Sequence, residues 1–133
     1  MDEKIENTDK IVQHWIDTSE QDFRTMQNLM KSCDYSWAMF LGHLVLEKLL
    51  KAHYVKNKKK HALFTHDLLR LATNAGLKFN DETEEWFDEI STFNINARYD
   101  NYKQDFYKLC SKEFASLWSE RIIKLRVWLI NEL

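Results

Sequence analysis

The chain of 133 residues contains no proline, only two glycines (Gly42 and Gly76) and only two cysteines (Cys33 and Cys110). A sheet-rich fold of this length needs more turn punctuation than two glycines supply, so the shortage favours long helices. Two cysteines outside any Cys-x-x-Cys pair exclude a disulfide framework, and neither stands in a local cluster that would activate a thiol. The formal net charge of -2 leaves no global basic field for nucleic acid, although a local patch remains compatible with it. No apolar run reaches membrane-spanning length, and the charged N-terminus lacks the apolar segment of a signal peptide. A cytoplasmic protein without a membrane partner is the expectation. Also missing are a Gly-rich phosphate loop, a Gly-x-Ser-x-Gly elbow and a His-Glu-x-x-His pattern. His43 and Glu47 have helical i, i+4 spacing but no convincing third ligand, so neither a metal nor a cofactor is expected.

What is present suits a packed helical interior. Hydrophobic residues make up 44% of the chain, with five Trp, eight Phe and five Tyr. The length fits one domain over 1–133, with the polar residues 1–8 expected to be disordered. Thr8 or Asp9 is a candidate cap for a first helix running to about Lys31. A second, strongly apolar helix ends near Tyr54 to Lys56. Thr65 reads as the cap of a third, which Gly76 terminates. Asp81 with Glu84 makes a capping-box-like start for a fourth. Residues 94–105 are polar and resist assignment, and from Ser111 a last helix follows Phe114, Leu117, Trp118, Ile122, Leu125 and Leu129. The expected fold is all-α, an antiparallel up-and-down bundle of about five helices.

The second helix carries the most informative pattern. His43, Glu47 and Lys51 recur every fourth residue and form one polar band on a segment otherwise rich in Leu, Val and Ala. Such a band must meet solvent, a charge partner or a ligand. Lys48 lies about 100° away among apolar positions. It reads first as a snorkelling side chain and second as a cation turned to a pocket. Asp22 shares the apolar face of the first helix with Trp15, as a rim residue or the partner of a base. Lys58, Lys59 and Lys60 form a basic connection whose ordinary role is solvation and whose sharper role is phosphate contact. His66, just after the cap, suits a local hydrogen bond. Arg98 and Tyr99 suit a phosphate and a base, and equally an ion pair from Arg98 to Glu47 or Asp22.

Taken together, the chain resembles the HEPN domain family. The resemblance rests on Trp15 and Asp22, then on Tyr35, Ala38, Phe40, His43, Glu47-Lys48 and Lys51-Ala52. It continues through Thr65-His66-Asp67-Leu68 with Leu71, through Ala97-Arg98-Tyr99, and into the last apolar helix. It implies an antiparallel helical bundle that forms a homodimer. It also implies a bacterial or archaeal protein encoded beside a minimal nucleotidyltransferase, in pairs that can act as toxin and antitoxin. Many members are metal-independent ribonucleases, marked by an Arg followed four to six residues later by a His. Here no His follows Arg98, and Lys103 stands at one of the expected positions. The expectation is therefore a nucleotide- or RNA-binding module, with Arg98, Tyr99, Glu47, Lys48 and Lys51 as ligand-binding candidates and Lys58, Lys59 and Lys60 as possible phosphate contacts. The alternatives are a ribonuclease toxin with a departing site, whose catalytic candidates are Arg98, His43 and His66, or a structural dimerisation module.

Overall fold

The computed structural model describes residues 6–133. Six helices follow one another: α1 (Thr8–Lys31), α2 (Tyr35–Lys58), α3 (Leu68–Asn74), α4 (Asp81–Arg98), α5 (Asp100–Leu109) and α6 (Lys112–Asn131). The all-helical bundle expected from the sequence is present, with one helix more than anticipated because the polar stretch 94–105 is itself helical. Of the N-terminal segment expected to be disordered, residues 1–5 lie outside the described residues, and α1 already begins at Thr8.

Helices α1 and α2 are joined by a turn in which Cys33 adopts a left-handed φ of 63°. With so short a link the two must run antiparallel, and Ser19 Oγ on α1 ties them by donating to Val45 O on α2 (2.8 Å). Helix α2 is the axis of the fold: it packs against α1, α3, α4 and α6. From Ala38 to Val55 most of its residues are buried, which is why its apolar positions encircle the helix instead of forming one stripe. Helix α6 approaches α2 closely at Gly42, where an added Cβ would sit 2.5 Å from Ile122 Cδ1. An aromatic layer of Phe93 against Phe106, Phe114 and Trp118, with ring centroids 5.5–6.0 Å apart, joins α4, α5 and α6.

The caps correct several boundary expectations. Asn7, with left-handed backbone, precedes α1 in place of Thr8 or Asp9. Asp67, not Thr65, caps α3 by accepting from Arg70 N, while Thr65 Oγ1 accepts from Asp67 N one turn earlier. Asn80, not Asp81, caps α4 by accepting from Thr83 N. Ser111, from which the last helix is expected to run, caps α6 by accepting from Phe114 N. Gly76, with φ of 83°, follows the end of α3 as anticipated. Among the described residues no helix is long and apolar enough to cross a membrane.

Candidate functional site

The polar band on α2 is buried. His43 is 0% exposed, Glu47 4% and Lys51 9%. It is closed over by the extended segment between α2 and α3, which lays His66 against Glu47. The His66 ring donates Nδ1–H to Glu47 Oε1 (2.7 Å), and Lys51 Nζ donates to Glu47 Oε2 (3.1 Å). Both oxygens of one buried carboxylate are thus occupied by donors. Lys51 Nζ also lies 5.2 Å from the Trp15 ring centre on α1.

From Glu47 the network runs on to the far end of α4, and its polarity can be assigned throughout. A backbone carbonyl only accepts, so the His43 Nε2 facing His66 O at 2.8 Å must carry the proton. Burial pushes His43 below the ordinary histidine range, more strongly than the His66 carbonyl and Glu47 pull it back, so the ring is neutral. Nδ1 of His43 is then the acceptor, and Asn94 Nδ2 donates to it at 3.4 Å. With its amide so oriented, Asn94 turns Oδ1 to Arg98, which donates from Nη2 to Oδ1 and from Nε to Asn94 O (3.1 Å). The series Arg98, Asn94, His43, His66, Glu47, Lys51 therefore spans α4, α2 and the connecting segment without a mismatched donor or acceptor.

Three members of this series, His66, Asn94 and Arg98, reach an open cleft of about 630 Å³. Its walls are Thr65, His66 and Asp67 on one side and, on the other, Ser91, Asn94, Ile95 and Arg98 of α4 with Tyr99 just beyond it. The volume lies in the range of small-molecule sites. The guanidinium of Arg98 stands 5.6 Å from the ring centres of both Phe40 and Tyr99, with its orientation fixed by Asn94 and its remaining N–H groups unspent on those two bonds. Tyr99 is 55% exposed at the cleft margin, where α4 ends and α5 begins.

The sequence-based candidates separate into three places. Arg98, Tyr99 and His66 meet at the cleft. His43, Glu47 and Lys51 lie behind it, buried, and do not line it. Lys48 belongs to neither: its Nζ is 2.6 Å from Asp22 Oδ2, joining α2 to α1. Of the readings open for Arg98, the bridge to Glu47 or Asp22 is absent; its bonds go to Asn94 instead. Lys103 lies against Trp37, with Nζ 5.2 Å from the ring centre, and does not line the cleft. Lys58 and Lys59 are exposed at the end of α2 and Lys60 is half-buried. Asn94 and Ser91 were not singled out from the sequence. Ser91 Oγ accepts from Leu68 N (3.0 Å) and so holds the start of α3 against α4. The available signal was their spacing: Asn94 stands four residues after Ile90 and three before Ala97, a polar residue on the core face. Among the described residues no group of three or more His, Cys, Asp or Glu is arranged to hold a metal ion.

A family model places this architecture: the HEPN domain model matches residues 12–132, and the chain belongs to the HEPN domain family. That membership makes it a nucleotide- or RNA-related module. The fold is similar to the crystal structure of TT1696 from Thermus thermophilus, with a TM-score of 0.79, 16% sequence identity, and coverage of 92% of this chain and 98% of that one. No curated protein matches the sequence.

Proposed function

We propose that the protein binds a nucleotide or an RNA phosphate in the cleft between α4 and the segment leading into α3. The observation that carries this reading is Arg98, held by two bonds to Asn94 with its outer edge at the cleft beside the Tyr99 ring. A fixed guanidinium fork suits phosphate, and a neighbouring phenol suits stacking or hydrogen bonding of a base. In this reading Glu47 and Lys51 act from behind, through His66, and Lys48 acts through α1 packing. The family resemblance supports a homodimer that works with a minimal nucleotidyltransferase in a toxin–antitoxin-type pair. Titration of a labelled dinucleotide by fluorescence anisotropy tests the cleft. Arg98→Ala should weaken binding at least tenfold, on the scale of a charge-assisted contact, with Arg98→Lys only partly restoring it. Unchanged affinity in Arg98→Ala sinks the assignment.

One observation favours a second reading, RNA cleavage. Because Nδ1–H of His66 is committed to Glu47, Nε2 is the ring nitrogen left to act as a base, on a residue that lines the same cleft as Arg98. Nε2 takes the proton of an RNA 2'-hydroxyl, the 2'-oxygen bonds to phosphorus, and the 5'-oxygen leaves and takes a proton from water. Arg98 stabilises the charge on the pentavalent phosphorus. Incubating end-labelled RNA with the protein in EDTA distinguishes the two readings: cleavage that disappears in His66→Ala establishes the second, and intact RNA leaves binding alone.

A further inference from the structure

Phe64 is the most exposed large apolar side chain described, at 105% of its reference area. Its backbone is nevertheless held on both sides. Leu63 O accepts from Thr65 N at 3.1 Å, a tight turn that throws out the side chain between them. Leu63 packs against the core before it, and His66 is pinned to Glu47 after it. An ordered turn that presents a bare aromatic ring, next to two residues of the cleft wall, differs from a frayed loop tip.

The chain leading to it from α2 carries charge of one sign, and the first acid after it is Asp67 at the cleft wall. Between Glu47 and Asp67 the sequence contains no acid, while Lys56, Lys58, Lys59, Lys60 and His61 fall within nine residues of Phe64. Lys56, Lys58, Lys59 and His61 are exposed. This patch is local in a chain of net charge -2, so it selects an anionic partner without making the whole protein basic. Chain continuity joins the three parts in order: lysines, then Phe64, then Thr65 and His66 at the cleft with Arg98 opposite.

We infer that Phe64 and the Lys58–Lys60 connection form a track for single-stranded RNA that extends from the cleft, with Phe64 as a stacking platform for a base beyond the one held by Arg98 and Tyr99. An aromatic ring beside a basic stripe is the ordinary equipment for unpaired strands: every base has a face to stack, and lysines follow the phosphates. The inference rests on the cleft as a nucleotide site and assigns it a ligand longer than a mononucleotide.

The test compares a labelled dinucleotide with oligouridylate of eight nucleotides on the intact protein. The octamer should bind at least tenfold more tightly than the dinucleotide. Phe64→Ala should lower octamer affinity about tenfold, the loss typical of one stacked base, and leave the dinucleotide unaffected. Phe64→Trp should preserve affinity, and its added indole should be quenched by the octamer. Replacing Lys58, Lys59 and Lys60 by Gln should flatten the salt dependence of octamer binding. Since Phe64 is bare in the fold, its loss does not threaten folding. The track is overturned if dinucleotide and octamer bind alike, or if Phe64→Ala leaves octamer binding intact. It is also overturned if Phe64→Ala instead converts an oligomer to monomer, which assigns the ring to a second copy of the chain. Dinucleotide binding that persists and remains sensitive to Arg98→Ala keeps the cleft reading in those cases. Failure of both ligands to bind removes the cleft reading itself.

Discussion

Glu47 holds a charge in the middle of the bundle, and its two oxygens divide the work between a cation and an imidazole. Its side chain is 6% exposed and that of Lys51 11%, so neither ion has much water to fall back on. Removing one member of such a pair leaves the other charge buried, at a cost of about 3–5 kcal/mol, whereas replacing both by apolar groups costs far less. Glu47→Leu should therefore destabilise the protein by about 3 kcal/mol in urea unfolding, and adding Lys51→Leu should recover a large part of it. If the double variant is no more stable than the single, Lys51 is not the partner that matters. The need for a partner was legible in the sequence, since a polar band at every fourth residue of an apolar helix has few other outcomes. The partner's identity was legible only in part. Lys51 is a local i, i+4 neighbour, but His66 arrives through a connection whose path no local pattern encodes. Asn94 and Phe64 went unread for related reasons: one is an interior polar residue that links Arg98, four residues on, to His43, far away in sequence, the other a ring that nothing covers.

Among the elements, α3 has the least structure of its own to rely on. It has seven residues, fewer than an isolated helix needs for stability, so its cap and its packing decide whether it forms. Asp67 supplies the cap through Arg70 N, and Leu68 N is bound by Ser91 Oγ from α4. Asp67→Ala should cost about 1 kcal/mol and should raise amide exchange at Arg70, whereas Asp67→Asn should be nearly neutral. Because the same residue ends the segment that carries His66, the alanine variant should also loosen the cleft wall, seen as broadening of the His66 ring signals. Exchange at Arg70 that matches the unmodified protein would show that packing alone holds α3. Helices α1, α2, α4 and α6 were legible because long amphipathic or apolar segments leave a periodic trace. The division between α4 and α5 left none. The chain breaks at Tyr99 with extended backbone (φ -88°, ψ 132°) and no glycine or proline, and α5 buries only Phe106. A helix so polar is recognised by what it packs against, not by its sequence.

The whole molecule couples its stability to pH through two histidines of α2 that face different neighbours. His43 faces the connecting segment and α4, and His53, 1% exposed, faces α6 with Nε2 2.7 Å from Leu129 O. Burial lowers both below the ordinary histidine value, outweighing in each case the raising effect of the carbonyl it bonds. The folded protein therefore holds both rings neutral at a pH where the unfolded chain has begun to protonate them. The resulting stabilisation is fully present above the unfolded value of about 6.5 and declines as pH falls toward the lowered folded values. Ordinary carboxylates titrate at lower pH, near 4, and contribute little to this window. General charge repulsion contributes little as well, because the chain crosses its isoelectric point near pH 6.2. Thermal melts between pH 7.5 and 5.5 should show the midpoint falling as the pH drops below about 6.5. His53→Gln, which can still donate to Leu129 O but cannot titrate, should flatten that decline whatever its own effect at pH 7.5. A midpoint constant across the window would mean that the two rings are as easily charged in the fold as in water, contrary to their burial. The two contributions also differ in what they report: the His53 part follows α6 packing alone, whereas the His43 part should change when a ligand in the cleft engages Arg98 and, through Asn94, the His43 ring. A pH dependence that shifts with ligand in the His53→Gln background would tie the cleft to the core of the bundle.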